Sequence, residues 1–396
     1  MKVYLRQGDS FWYYSQLFQI PLNLISDSNP TLNPQQIMIG QEVAIPGFIL
    51  EPYQIQSGDT FYKIAEKYNL HVDSLMLVNQ RVNPNALQVG SYIQVPVRVV
   101  QPIVNGNRPY NSEIMMDEIN QLLEIYPFMK KGALTETYLE NPVIELQVGT
   151  GDKKVHWNGS FHANEWITTP IIMTFLNDYL LALTNQSSIR GINMLPFYSQ
   201  VLLSIVPMVN PDGVDLVING LPEKEPYRSS VLEMNDGSMD FSGWKANIRG
   251  VDLNNQFPAQ WEIEKERKPQ APGPRDYPGP SPLSEAESLA MANLTRKRDF
   301  DWVLAFHTQG EVIYWGFMNL EPPYAETIVN EFSRVSGYVP IMTVDSYAGY
   351  KDWFIQDWQR PGYTVELGKG VNPLPLSQFD EIYEETIGIF LASMYM

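Results

Sequence analysis

The first hundred residues of the chain repeat themselves. Laying Val3–Gly47 over Tyr53–Val97 at a constant offset of 50 needs no gap and matches Gly8/Gly58, Asp9/Asp59, Phe11/Phe61, Asn29/Asn79, Asn33/Asn83, Pro34/Pro84, Gly40/Gly90 and Pro46/Pro96. Self-similarity at a fixed period means one supersecondary unit used twice. Each copy opens with a short alternating strand, Val3-Tyr4-Leu5 or Tyr53-Gln54-Ile55, and enters a Gly-Asp turn followed by Ser10 or Thr60, which are good helix N-caps. The second copy continues as FYKIAEKYNL, apolar at helical spacing, and then VDSLMLVN, a second short helix. Both copies close with a Gly turn and a strand, IGQEVAIP or VGSYIQVP. Strand, helix, helix, strand in about 45 residues is the smallest two-layer unit that buries one sheet face. The expected organisation is a module at 1–49, a second at 50–98, a Pro-, Asn- and Gly-containing linker at 99–109, and a larger domain at 110–396.

The larger domain alternates strands and helices. NSEIMMDEINQLLEIYP and TTPIIMTFLNDYLLALT read as helices, whereas NPVIELQVG, QVLLSIVPMVN, DWVLAFHTQG and GYTVELG read as strands ending in polar turns. That alternation predicts an α/β fold, in which reactive groups collect beyond the carboxyl ends of strands. Residues 257–283, rich in Pro and charge, read as a long ordered loop that walls a cleft.

Composition narrows the chemistry. With 27 Lys and Arg against 45 Asp and Glu, the net charge of −18 argues against nucleic acid or an anionic membrane surface as partner. Zero cysteines exclude thiol nucleophiles, disulfides and cysteine-ligated metals, and do not fix a redox compartment. Only four histidines, at 71, 156, 162 and 307, remain as nitrogen ligands. MKVYLRQGDSFWYYSQ lacks the apolar core of a secretory signal, and no apolar run reaches ~18 residues, so neither a cleavable leader nor a transmembrane segment is expected.

After the strand VHWNGS comes Phe161-His162-Ala163-Asn164-Glu165, whose His and Glu are three apart and face one side of a helical turn. VLAF then ends in His307, and TV ends in Glu366. Two histidines and one glutamate leave a fourth zinc position for water, and a further carboxylate can accept its proton, which is the requirement of a zinc hydrolase. His71, inside a repeat, and His156, within a strand, read as structural.

The two amino-terminal copies resemble LysM modules, the second through GDT-F, A-x-x-Y-N and L-x-x-G-x-x-I-x-V-P. That resemblance implies βααβ modules that bind N-acetylglucosamine-containing polymers, with Gly58, Asp59, Thr60 and Asn79 as glycan-binding candidates. The first copy departs from the pattern at Tyr13-Tyr14-Ser15 and Pro21. From Tyr110 onward, HxxE followed by Trp166, the strand-terminal His307 and Glu366, and the Asn210-Pro211-Asp212-Gly213 loop are similar to the zinc carboxypeptidase family. The resemblance implies a mixed-sheet α/β/α domain binding one Zn2+ through His162, Glu165 and His307, with Glu366 as general base. Lys245 stands at what resembles the position of the family's oxyanion-binding arginine. Tyr347, with Tyr350 as a rival, stands where the family places a tyrosine that closes over substrate.

Two departures bear on specificity. Gly250-Val251-Asp252-Leu253 is followed by Asn254-Asn255 where carboxypeptidases carry an Asn-Arg pair that grips the substrate's terminal carboxylate, and Asn164 replaces another family arginine. Without a guanidinium fork, bidentate capture of an α-carboxylate is lost. The whole chain resembles bacterial γ-D-glutamyl-meso-diaminopimelate peptidases, in which tandem LysM modules precede a carboxypeptidase-like domain. The resemblance implies hydrolysis of peptidoglycan stem peptides, with Asn164, Asn254, Asn255, Gln309 and Gly310 around the substrate. It implies a wall- or spore-associated location, with action on muropeptides in the cytoplasm as the other reading. The competing functions are a carboxypeptidase acting on peptide C termini and a wall-binding scaffold with an inactive peptidase domain.

Overall fold

The computed structural model describes residues 1–396. It divides into two compact units, one comprising Met1–Ile103, Glu118–Lys130 and Asn177–Leu195, the other comprising Val104–Asp117, Lys131–Leu176 and Pro196–Met396.

In the first unit each repeat forms strand, helix, helix, strand. The first copy uses Lys2–Tyr4, Phe11–Phe18, Leu22–Asp27 and Glu42–Ala44; the second uses Phe48–Gln54, Phe61–Lys67, Val72–Val78 and Tyr92–Arg98. Both strand pairs are antiparallel, and Val3 opposite Val43 in one copy reappears as Tyr53 opposite Ile93 in the other. Gly8 and Gly58 have φ of +87° and +83°, the left-handed turn that glycine enters without strain. Ser10 accepts from the Tyr13 amide and Thr60 from the Lys63 amide, so both expected caps are made.

The strand Phe48–Gln54 begins earlier than the repeat pattern implies, because Phe48 to Pro52 pair with Gln94 to Arg98 as a continuous ribbon. A boundary at 49/50 therefore falls inside a strand. Pro52 and Pro96 are tolerated there because a two-stranded ribbon leaves each strand an unpaired edge. Residues 99–109 carry no helix or strand.

An asparagine ties each module together. Asn29 donates to the Ile25 and Ala44 carbonyls and accepts from the Ala44 amide; Asn79 does the same with Leu75 and Gln94. The modules also touch each other. Arg6 bridges Asp9 and Asp73, at 3.0 and 2.6 Å, and Tyr13 donates to Asp73.

The second unit is built on an eight-stranded mixed sheet. Its spatial order is Val339–Ile341, Val312–Tyr314, Gly362–Leu367, Trp302–Thr308, Lys153–Asn158, Val201–Val206, Pro142–Val148 and Lys130–Glu136. The four central strands run parallel, and antiparallel partners flank them on both sides. Every residue of Trp302–Thr308 is buried, as in a strand covered on both faces. Alternation sends Phe306 onto Phe390 of the helix Phe379–Tyr395, while Val303 and Ala305 join the core with Trp353 and Phe354 of the helix Tyr350–Trp358. The result is the expected α/β/α layering. The segment Ala163–Asn185 is long and apolar enough to cross a membrane, contrary to the reading from uninterrupted apolar runs, yet 83% of its most apolar window is buried inside the fold, as in a core helix. The Pro-rich stretch after Phe257 carries the short helix Trp261–Arg267.

Candidate metal centre and active-site cavity

The ligand loop leaves the strand Lys153–Asn158 through a tight, locked turn. A side chain at Gly159 would meet Ile172, the Pro207 carbonyl and Thr168 within 3.0 Å. Ser160, at φ +50°, donates its amide to Thr168 Oγ1 and shares a hydroxyl hydrogen bond of 2.7 Å with Thr169. The 3-10 turn Ala163–Glu165 follows and aims His162 and Glu165 the same way.

His162, Glu165 and His307 converge, their ligand atoms all within 4.8 Å of one another. His162 Nδ1 lies 2.8 Å and His307 Nδ1 2.9 Å from the two Glu165 oxygens, and the two ring nitrogens are 3.2 Å apart. Two imidazole nitrogens bound to one tetrahedral zinc at ~2.0–2.1 Å would stand ~3.3 Å apart, so the donor set fits that ion. All three residues are buried. Burial lowers His162, but Glu165 and then Asp252 outweigh it and raise it to about 9, whereas burial keeps His307 below its usual value.

Around the cluster stand residues the sequence reading did not single out. Asp252 lies 3.3 Å from His162 Nε2 and 2.8 Å from Lys245, so one fully buried carboxylate fixes both. Burial would push its carboxyl up, but Lys245 and His162 hold it well below the usual range. Asn372 donates to Glu165 Oε1 and the Thr308 carbonyl and accepts from the Thr308 hydroxyl, bracing the glutamate from behind. The Asn-Pro pair after the final strand was the only local signal for Asn372.

The strand register positions Glu366. It pairs with His307 on the neighbouring parallel strand and, with Thr364 two residues earlier, lines a cavity of about 230 Å³ that also includes His162, Lys245, Asn254 and Asn255. Burial, with the charge of Glu165 beside it, pushes the Glu366 carboxyl up. Lys245 belongs to the cavity rather than to the open surface; burial lowers it, but Asp252 and Asp276 raise its pKa overall.

Other candidates fall elsewhere. Tyr347 is absent from the cavity lining and packs between Phe317 and the Arg267 guanidinium; Tyr350 is fully buried, its hydroxyl 2.8 Å from Thr295. Ser346 and Gly349 line the cavity from that loop instead. Gln309 and Gly310 lie outside the lining, because Gly310 donates to the Gly368 carbonyl and ties their loop to the next strand end. Asn164 is buried on the ligand turn with Oδ1 unpartnered, also outside the lining. His156 is a core residue, stacked on Phe300 and bonded to Ser204.

In the second module Asp59 accepts from the Tyr53 hydroxyl and the Gln56 amide, Thr60 caps its helix, and the Gly58 carbonyl accepts from Lys63. Asn79, expected to bind glycan, is instead a structural tie, because its side chain is buried and its hydrogen bonds go to the Leu75 and Gln94 backbone. Trp12 and Tyr62, at matched positions of the repeat, are 63% and 69% exposed aromatics beside these turns. An exposed ring recurring at offset 50 was a signal available in the sequence.

A family model described as zinc carboxypeptidase matches residues 115–388. The chain belongs to the zinc carboxypeptidase family. A LysM domain model matches residues 5–46 and again 53–96. Gamma-D-glutamyl-L-diamino acid endopeptidase 1 of Lysinibacillus sphaericus is 63% identical over 396 residues, covering all of both chains. An uncharacterized protein of Bacillus subtilis (strain 168), YqgT, is 46% identical over 290 residues, 72% of this chain and 77% of that one. Among solved structures, bovine thrombin-activatable fibrinolysis inhibitor in complex with tick carboxypeptidase inhibitor aligns with a TM-score of 0.56 at 19% identity, covering 73% of this chain and 97% of that one. Carboxypeptidase A from Helicoverpa armigera gives 0.55 at 15% identity, covering 88% and 98%. These two likenesses establish the carboxypeptidase fold of the larger domain. With it, this zinc carboxypeptidase relative carries two LysM modules.

Proposed function

We propose that the chain is a zinc-dependent peptidoglycan endopeptidase that hydrolyses the γ-D-glutamyl–meso-diaminopimelate amide of stem peptides, while its LysM modules hold N-acetylglucosamine-containing glycan. The observation that carries this reading is 63% identity over the full length to an enzyme named as a γ-D-glutamyl-L-diamino acid endopeptidase. It is supported by a cavity lined by Asn254 and Asn255, the pair that in sequence replaces the Asn-Arg of the carboxypeptidases the chain resembles. The working organisation is modules at 1–49 and 50–98, a linker at 99–109 and a catalytic domain at 110–396, acting at the cell wall or spore.

His162, Glu165 and His307 would hold one zinc ion, which when bound supplies Lewis-acid polarisation and acidifies water. Glu366 takes the proton of the attacking water and returns it to the leaving amine, a role suited to a carboxyl raised by burial. Lys245 has three donor hydrogens and two carboxylate partners, leaving one donor for the developing oxyanion. Asp252 holds the His162 ring and Asn372 holds Glu165, so the ligand set is oriented before substrate arrives. On the modules, Gly58, Asp59 and Thr60 with Trp12 and Tyr62 offer polar turns and ring faces for sugars.

The test is mass spectrometry of products from the purified protein and a diaminopimelate-containing muropeptide, with chelator and with zinc restored. The expected product begins with diaminopimelate, disappears with chelator and returns with zinc. Release of the C-terminal D-alanine instead would make the enzyme a carboxypeptidase, and no metal-dependent product would leave a binding scaffold.

A further inference from the structure

Three lysines line the cavity beside the metal cluster, and they are not equally engaged. Lys245 lies 2.8 Å from Asp252 and 3.1 Å from Asp276. Lys351 lies 2.6 Å from Asp352 and donates to the Gly316 carbonyl at 2.9 Å. Lys268 is looser. Its ion-pair partner is Glu264 at 3.5 Å, too long for a strong charge-assisted hydrogen bond, and Arg267 shares that carboxylate at 3.8 Å. Its side chain keeps 28% of its surface exposed, whereas those of Lys351 and Glu264 keep 6% and 1%.

The lining of the same cavity includes Asn255, only 7% exposed, whose Nδ2 has no hydrogen-bond partner. A buried amide donor without an acceptor is costly in a finished interior and useful where a ligand supplies the acceptor. A loosely held ammonium and an unfilled amide donor in one cavity match the same chemistry: an anionic oxygen pair on the substrate. The chain's net charge of −18 works against an acidic stem peptide, and a local cation in the cavity offsets that repulsion.

Building on the γ-D-glutamyl–diaminopimelate reading, we propose that Lys268, with Asn255, receives a carboxylate of the diaminopimelate residue, taking the place of the missing arginine fork. An ammonium is a point charge without a planar fork. Lys268 therefore selects for the presence of the carboxylate and leaves exact placement to Asn255 and the metal site.

The full-length zinc enzyme and its Lys268→Gln and Lys268→Arg variants are assayed on three tripeptides, L-Ala-γ-D-Glu-meso-diaminopimelate and its two mono-amides at the diaminopimelate carboxyls. The parent should lose tenfold to hundredfold in kcat/KM, mostly through KM, on one mono-amide. Lys268→Gln should show that loss on the free tripeptide and become indifferent to that amidation, while Lys268→Arg keeps most of the parental preference. Which mono-amide reproduces the loss identifies the carboxylate. Equal loss by Lys268→Gln on all three substrates would reduce Lys268 to a counter-charge for Glu264 and overturn the inference, as would no loss at all. If the parent cleaves none of the three γ-D-glutamyl bonds, the bond assignment itself falls, and this inference falls with it.

Discussion

Asn79 and Asn255 are equally buried, each 7% exposed, and do opposite things. Asn79 in the second LysM module donates both amide hydrogens to carbonyls and accepts from the Gln94 amide, and Asn29 repeats the arrangement fifty residues earlier. Asn255, in the cavity beside the His162–Glu165–His307 cluster, leaves Nδ2 without any partner. The modules use polar residues to close a small fold whose core is only a handful of side chains. The cavity keeps polar residues open for what enters it. Equal burial therefore says little about role; the state of the hydrogen bonds says a great deal.

The largest effect that sharpens this contrast is expected at Glu366. Glu366→Gln should lower kcat/KM by about a thousandfold or more while zinc content, measured by elemental analysis, stays at the parental value. A variant keeping most of its rate would take Glu366 out of the mechanism.

The two asparagines give the direct comparison. Asn79→Ala strands the Leu75 and Gln94 backbone groups and should destabilise the second module by about 2–4 kcal/mol, read by hydrogen exchange of its amides, with hydrolysis of a small soluble tripeptide unchanged. Asn255→Ala should do the reverse, leaving thermal stability at or above the parental value and lowering kcat/KM. Exchanged outcomes would break the contrast.

A smaller effect is expected from Asp252→Asn, which weakens the hold on His162. Zinc affinity, followed by competition with a chelator, should fall about 10–100-fold. Unchanged affinity would confine Asp252 to its ion pair with Lys245. The smallest is Thr60→Ala, which removes the cap on Phe61–Lys67 and should cost about 1 kcal/mol, matched within error by Ser10→Ala in the first copy. A clear difference between the two would mean that the modules are not equivalent even where their sequences agree.

Much of the molecule was legible wherever the signal is local. Turn glycines, caps, the repeat register and strand-terminal His307 and Glu366 are all written within a few residues of where they act. The HxxE spacing likewise prescribes a shared side for His162 and Glu165 because a single helical turn brings them together. What escaped depends on contacts distant in sequence. Asp252 meets His162 across ninety residues, and Asn372 meets Glu165 across 207. Tyr347 and Tyr350 looked interchangeable as neighbours of a loop, yet the packing of Phe317 and Arg267 on one and Thr295 on the other decides both. Asn79 is ambiguous in the sequence because a matched polar residue in a repeat carries the same pattern whether it serves a ligand or the fold.

The pairing of His307 with Glu366 across two adjacent parallel strands has a consequence for engineering. Their spacing is set by the strand ladder, whereas Asn254, Asn255, Lys268, Ser346 and Gly349 reach the cavity from segments outside the sheet strands. Under the proposed mechanism, randomising those segments in a selection experiment would vary what the pocket accepts while His307 and Glu366 keep their separation, so altered substrate choice is open to laboratory evolution without rebuilding the chemistry.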